Sequence, residues 1–332
     1  MLRIGLDIGH SSVKATYSWN NRGDIGSIIF PTLVIPAFRL MDERAARSAR
    51  IDTVSFDGQW FVGETAELQG KLASFSGQDR DWVFSKTHDI LVLSALDRIK
   101  QESGYGLHGS TITIGLPAAF YAAQKANLRS RLIGILTKYY GEDLAATVAV
   151  RIQPQPYGPV YLLATASDGS PSGIDLKKES WGVVEVGHFT TDYILIKREQ
   201  IVDHSSGSSE GFRGVYERMT PEFSEAGFST SPEALTQAIL SRRVMHYGRE
   251  CDVGAIVDRA VQAVADGVLS DVQRLFGQDL PSLKALLVAG GAAPVIAPIL
   301  IGMYPNATLV ENPRFAVAEG FRRHSCIVAQ NQ

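Results

Sequence analysis

The sequence predicts an α/β protein built from two related domains. Three observations carry that prediction: a strand–turn–strand unit at the N-terminus, a second copy midway along, and a length of 332 residues, more than one core comfortably reaches. In the first unit, Leu2, Ile4, Leu6 and Ile8 alternate with other residues at the period of a strand, which runs into Gly9, His10, Ser11 and Ser12. A sharp turn there exposes backbone N–H groups and two hydroxyls, a suitable cradle for phosphate. Asp7 precedes the turn, where a carboxylate makes sense if a divalent cation or its water shell lies between it and the phosphate. Lys14, on the following strand, reaches back towards the phosphates. Taken alone, this copy also reads as a tight hairpin with a solvated Asp. The second unit, 181–196, repeats the pattern: Val183, Val184 and Val186 flank Glu185, then come Gly187, His188, Thr190, Thr191 and another apolar strand. Asp7-Ile8-Gly9-His10 and Glu185-Val186-Gly187-His188 match as acid, apolar residue, glycine and histidine, and a repeat is harder to obtain by accident than one copy. Each domain then offers a loop and an acid to one nucleotide in a cleft between them.

Hydrophobic residues at 45% and charged residues at 20% describe an ordinary globular chain and exclude disorder. A net charge of −3 supplies no broad attraction to nucleic acid, so direct DNA binding is not expected. Two cysteines, Cys251 and Cys326, point to a reducing compartment without a disulfide framework. Asp7 interrupts the apolar run that a signal peptide needs. Residues 285–304 are nearly all apolar and about long enough to span a bilayer, but Gly290-Gly291, Pro294 and Pro298 divide them into a strand, a turn and a short helix. A cytoplasmic protein without a membrane span is the expectation.

Taken in order, the second strand continues over 15–19, residues 20–24 are a turn cluster, and 25–30 close an antiparallel meander. A hairpin over 52–63, turning on Asp57-Gly58, suggests a small subdomain inserted over about 31–85. Its Arg44, Arg47, Arg50, Trp60 and Phe61 form either an interaction surface or a satellite core. Residues 86–104 are helical, with Ile90, Leu91, Leu93, Leu96 and Ile99 on one stripe and Gly104 as the stop. A strand over 110–116 ends at Pro117, and a helix over 121–140 turns Lys125, Arg129, Arg131 and Lys138 to solvent. Residues 147–152 are a strand. Three prolines in 153–159 forbid an immediate regular helix and hold Gln153 and Gln155 on a stiff loop, before a helix over 160–166 crosses towards the second domain.

Residues 167–180 are a polar linker. The second hairpin continues into a third strand over 200–204, a small-residue loop over 205–211 and a helix over 212–219. Residues 235–241 and 253–276 are helical, the latter with Ile256, Val257, Ala260, Val264, Val268 and Leu275 along one face. A strand over 286–289 ends in Gly290-Gly291-Ala292-Ala293, where glycines let backbone approach a flat ligand. A strand over 307–310 and a helix over 314–323, capped by Asn312-Pro313, complete the order.

Asp7-Ile8-Gly9 with Lys14, Gly115-Leu116-Pro117, the 153–156 loop, residues 185–192, Gly290-Gly291-Ala292 and residues 312–320 together resemble the nucleotide motifs of the actin superfamily in sequence order. Those are two phosphate loops, two inter-domain connectors and the adenosine motif. Within the superfamily the likeness is to the plasmid-segregating bacterial actins of the ParM/StbA group. It covers essentially the whole chain, although 31–85 and 220–252 match by position only. Each motif is short, and the weight lies in six of them in the right order. The resemblance implies an actin-like α/β fold of two ribonuclease-H-like domains around a nucleotide cleft: 1–158 with 313–332, and 159–312 with its own insert over about 220–265. It implies ATP/ADP and Mg2+ as cofactors. It also implies ATP hydrolysis coupled to assembly of the chain with itself into dynamic filaments, which segregate plasmid DNA through a DNA-binding adaptor on the plasmid centromere.

Carried onto this sequence, the resemblance makes Asp7, with Glu185, an acid that meets Mg2+ through water. Gly9, His10, Ser11, Ser12 and Lys14 line the phosphates, opposed by Gly187, His188, Phe189 and Thr190. Glu210, Gly211, Gly290, Gly291 and Ala292 flank ribose and adenine. Gln155 sits where the plasmid actins usually place a carboxylate that activates water, and Gln153 is the alternative for that role. Glu185 stands for the usual Asp, His188 for a Gly, adding bulk and a possible charge, and Gln155 for an acid. A glutamine orients water without taking its proton, so hydrolysis is expected to be retained but slow. A small-molecule kinase of the same superfamily would need a carboxylate base, for which Asp192 is the obvious residue. A nucleotide-switched scaffold without polymerisation is the other alternative.

Overall fold

In the computed structural model, which describes residues 1–20, 23–70 and 81–330, the chain opens with β1 (Leu2–Ile8), β2 (Ser12–Trp19) and β3 (Ile25–Pro31), an antiparallel meander. The turn expected over 20–24 lies partly outside the described residues. An insert follows: β4 (Val34–Pro36), α1 (Glu43–Ser48), β5 (Thr53–Ser55), β6 (Gln59–Val62) and α2 (Glu64–Gln69). Its hairpin turns where Asp57 and Gly58 take φ of 47° and 125°. Phe61 belongs to a small buried cluster with Leu33, Ala49 and Ala66, while Arg44, Arg47 and Arg50 are exposed. Phe61 thus sits in a satellite core, whereas Trp60 packs against the main core of the unit.

Next come α3 (Lys86–Ser103), β7 (Thr111–Leu116), α4 (Ala118–Tyr140), α5 (Glu142–Ala145), β8 (Ala149–Pro154) and α6 (Tyr157–Ala164). Ser85 caps α3 by accepting from His88 N–H, and Gly104 ends it at φ 71°, a conformation that glycine alone adopts freely. The second half carries β9 (Ser180–Val186), β10 (Thr190–Lys197), β11 (Gln200–Ile201), β12 (Gly207–Glu210), α7 (Arg213–Glu225), α8 (Pro232–Ser241), β13 (Arg243–His246), β14 (Arg249–Asp252) and α9 (Gly254–Phe276). The chain then forms β15 (Ala285–Ala289), α10 (Ala293–Met303), β16 (Ala307–Leu309) and α11 (Ala316–Gln330). Two compact units result, Met1–Asp175 with Phe315–Gln332, and Leu176–Arg314.

The first unit's sheet runs β3-β2-β1-β7-β8, with β7 and β8 parallel to β1. The period of two separates its faces. Leu2, Ile4, Leu6, Ile8, Ile112, Ile114, Val150 and Ile152 join the core beneath α3. The opposite face of β1 and β7 carries Gly5 and Gly115. There α11 lies directly on the strand: a Cβ at Gly5 would fall 2.0 Å from Ala318 O. The second unit repeats the layout as β11-β10-β9-β15-β16, with β12 on β10 and its core against α7, α9 and α10.

Several elements differ from the sequence reading. The helix after β8 begins at Tyr157, directly behind Pro156, because a proline in a first helical turn lacks only an N–H that has no helical partner anyway. Gln153 therefore lies in β8 and only Gln155 and Pro156 form a turn. α6 packs on α11 inside the first unit, and the compact units divide at 175/176 and 314/315 rather than at 158/159 and 312/313. Residues 207–210, read as loop, are the edge strand β12, held by register with β10 despite their weak strand propensity. The strand expected over 200–204 stops at Ile201 and gives way to a single tight turn, Asp203–Ser205. The hairpin β13–β14 was not expected, and α11 continues to Gln330, past the expected end at 323. Among the described residues no helix is long and apolar enough to cross a membrane.

Candidate functional site

In the first unit, Asp7 is the penultimate residue of β1, on the strand face that also carries Gly5. It stands opposite Lys14 in the β1–β2 register. Lys14 Nζ donates to Asp7 Oδ2 at 2.9 Å, with both side chains largely buried. Gln155 Nε2 donates to the other carboxylate oxygen, Asp7 Oδ1, at 3.4 Å. The turn itself is kept open by the missing side chain at Gly9, where a Cβ would lie 3.0 Å from Ser12 O and 3.2 Å from Lys14 Nζ. A compact anion beside this turn would meet the ammonium and the backbone together, so these residues fit a phosphate.

Gln155 reaches Asp7 because Gly115 lacks a Cβ, which would lie 2.5 Å from Gln155 Cγ. Gln153 is turned elsewhere: its Nε2 lies 3.2 Å from His324 Nε2, and its Oε1 accepts from Tyr161 OH at 3.3 Å. Of the two glutamines, it is Gln155 that stands at the carboxylate. The sequence reading missed Thr32, which clamps the turn by donating from Oγ1 to Gly9 O at 2.5 Å and from N–H to Ser11 O at 3.2 Å. It also missed Trp82, whose ring lies 5.3 Å from that of His10. Neither carries a local signal, since both arrive from the two ends of the insert.

Burial pushes His10 below the ordinary histidine range, against the pull of Asp7, so its ring is neutral at neutral pH. Two deeper histidines go further. Burial first, then Arg131 and His10, lower His88 to about 3, and burial with Arg151 lowers His324 to about 4. Each has a folded value below the unfolded 6.5, so the unfolded chain binds more protons between those limits. Their stabilising contribution is intact above pH 6.5 and is lost as pH falls, at up to about 1.4 kcal/mol per pH unit for each. Thermal unfolding should therefore shift down between pH 6.5 and 5, and His88→Gln should flatten that slope. A melting temperature independent of pH in this range contradicts the assignment.

The second unit builds its part around the end of β9. Glu185, half-buried, is paired in register with Asp192 on β10 and Ala289 on β15. The loop 187–190 is tied down by its carbonyls: Gly187 O, His188 O and Phe189 O accept from Phe212, Arg213 and Gly211 N–H at 2.9, 2.7 and 2.9 Å. Gly211 is required there, because a Cβ would sit 2.5 Å from Phe189 C and Thr190 N. Burial, then Arg213, lowers His188, so the charge that the sequence allowed at this position is absent at neutral pH. Phe189 lies 5.5 Å beneath the Arg213 guanidinium. Glu210 ends β12 in an exposed ion pair with Arg218 at 3.0 Å.

Gly290 takes φ 98°, and a Cβ there would lie 2.4 Å from Val186 O. The adjacent Ala292 N–H donates to that same Val186 O at 3.2 Å, so Gly290, Gly291 and Ala292 are drawn against the end of β9 beside the 187–190 loop. Asp192 accepts from Thr190 Oγ1 at 3.0 Å and is also held by Ser208, which leaves it an acid between β9 and β12 tied to its neighbours. Among the described residues no group of three or more His, Cys, Asp or Glu side chains is arranged to hold a metal.

Two family models match the chain: residues 5–158 match the N-terminal domain of actin-like proteins, and residues 183–301 match the C-terminal domain of the archaeal actin homologue, MreB-like. No curated protein sequence matches. Among solved structures, the 15-stranded ParM filament from Clostridium botulinum superposes with TM-score 0.73 at 19% identity, over 97% of this chain and 98% of that one. The archaeal actin homologue Ta0583 in complex with ADP has TM-score 0.70 at 18% identity, over 100% of both chains. Bacillus thuringiensis ParM with ATP has TM-score 0.67 at 14% identity, again over 100% of both chains.

Proposed function

We propose that this chain, whose two halves carry the actin-like fold, is an ATPase of the plasmid-segregating ParM type that assembles with itself into dynamic filaments. The observation that supports this best is the group Asp7, Lys14 and Gln155 at the glycine turn of the first unit. Lys14 is the cation for a terminal phosphate, and the Gly9–Ser11 turn lends its backbone. With Nε2 engaged on Asp7, Gln155 keeps Oε1 to accept a hydrogen bond from a water and so orient its lone pair. Asp7 on the first unit and Glu185 on the second are the acids offered to the water shell of Mg2+. When bound, that ion would neutralise charge developing on the phosphoryl oxygens. On the second unit, Gly290–Ala292 and Gly211 present bare backbone suited to a flat base and its ribose. The plasmid cargo and the DNA-binding adaptor rest on the likeness to ParM.

The test is light scattering of the purified chain after addition of Mg-ATP, with phosphate release followed in parallel. Scatter should rise and then decay as phosphate appears. Gln155→Ala should slow release by roughly 10- to 100-fold and prolong the scatter, the scale expected for losing a water-orienting group. Flat scatter at high protein concentration, with ATP bound, would refute filament assembly and leave a nucleotide-switched scaffold.

A further inference from the structure

We infer that Tyr161 and His324 are positioning residues for Gln155: they lock Gln153, and with it the two-residue turn between β8 and α6, in one hydrogen-bonded arrangement. The inference rests on the role proposed for Gln155 and adds residues that neither the motifs nor the comparisons point to. It follows from proton counting along a chain of side chains inside the first unit.

Ser325 Oγ lies 3.0 Å from Ile4 O, and a carbonyl only accepts, so the single Ser325 proton goes there. Thr113 Oγ1, 2.8 Å from Ser325 Oγ, must therefore be the donor of that pair. Its own proton is then spent, so His324 Nδ1, 3.2 Å away, donates to Thr113. A neutral imidazole with a proton on Nδ1 has a lone pair on Nε2, and Gln153 must present its NH2 to it, at 3.2 Å. The amide oxygen of Gln153 is thereby aimed at Tyr161 OH, which donates at 3.3 Å. Every rotor and tautomer is set from one end, a backbone carbonyl of β1 three residues before Asp7. The neutral form that this chain requires is the one burial favours at His324.

The geometry explains why Gln155 should feel it. Gln153 is on β8 and Tyr161 on α6, so their hydrogen bond spans the strand before the turn and the helix after it. His324 pins the same amide from α11, and its ring lies 4.8 Å from that of Tyr161. Between these two anchors the backbone is fixed by Gln155 N–H to Leu116 O at 2.8 Å and Gly158 N–H to Gln155 O at 2.9 Å. A side chain that must hold water within tenths of an ångström depends on such outer support.

The experiment measures steady-state phosphate release by the full chain with Mg-ATP for Tyr161→Phe, His324→Leu and His324→Gln, each alone and combined with Gln155→Ala. Tyr161→Phe and His324→Leu should lower kcat by roughly tenfold with KM within about twofold, because a displaced water costs turnover rather than binding. His324→Gln, which can still offer Gln153 an acceptor, should recover part of the rate. In the Gln155→Ala background none of the three should matter further, since they act through Gln155. Unchanged kcat, or a full additional loss in that background, overturns the inference. If His324→Leu does not fold, Tyr161→Phe carries the same comparison. Nitrogen NMR of His324 at pH 7 supplies a readout independent of turnover: Nδ1–H supports the chain, and Nε2–H overturns it. A wild-type chain that hydrolyses no ATP would refute the functional reading and the positioning role together, whereas the wrong tautomer would refute the inference alone.

Discussion

Gly320→Ala should destabilise the first unit by at least about 3 kcal/mol, at the upper end for overpacking, and lower its melting temperature by roughly 6–12 °C. A Cβ at this position of α11 would lie 1.9 Å from Gly158 O and 2.8 Å from Gly158 Cα, both backbone atoms of α6. Side chains can rotate away from an added methyl, but a helix backbone moves only as a whole. Moving α11 outward is blocked in turn, because the same helix rests on β1 at Gly5 and holds the buried Arg322. That guanidinium donates to Glu319 at 2.7 Å, Ser18 Oγ at 3.1 Å and Ser167 O at 2.8 Å, and would lose partners as the helix shifted. The control is Gly134→Ala in α4 or Gly267→Ala in α9, helical glycines with nothing within 4 Å of the new Cβ. Those should be neutral or stabilising by up to about 1 kcal/mol, the helix-propensity gain. A Gly320→Ala protein that melts within a degree or two of the wild type, by circular dichroism, would show that the α6–α11 contact yields.

The second large effect is expected at Asp7. Asp7→Ala should reduce phosphate release on the order of 10²- to 10³-fold, the scale of losing one preorganised electrostatic group at a reacting phosphoryl. Two physical losses combine. On the proposed function the acid offered to the metal's water shell disappears, and in the structure Lys14 and Gln155 lose the carboxylate that aims them both. Lys14 is then a largely buried ammonium without its counter-charge, which will turn towards any anion available. Nucleotide affinity should consequently fall much less than turnover. Asp7→Asn keeps an acceptor for one neighbour but no charge, and should lie between the wild type and Asp7→Ala. Single-turnover phosphate release with bound ATP measures the first effect and a fluorescent nucleotide titration the second. Turnover within threefold of the wild type would remove Asp7 from the chemistry.

What the sequence determined by itself was whatever depends on neighbours in the chain. The period of two in Leu2, Ile4, Leu6 and Ile8 predicted β1, and the glycine turn after Asp7 predicted a second strand carrying Lys14 back towards it, although their exact pairing came from the register. The same local logic found the second copy at Glu185-Val186-Gly187-His188 and the helix ending at Gly104. Tertiary structure alone decided the rest. Ser208 and Ser209 have little preference for a strand and form one because the free edge of β10 offers a ladder. Pro156 and Pro159, which argue locally against a helix, are accepted just before α6 and in its first turn, where the N–H groups they lack have no helical partner. Nothing local separates Gln153 from Gln155, two residues apart on a stretch of equal composition. The distinction comes from α11, some 170 positions away, which engages Gln153 through His324, and from the absent side chain of Gly115, which leaves Gln155 room to reach Asp7. Periodicity is written into consecutive residues, whereas the choice between two similar side chains is made by whichever distant backbone leaves space.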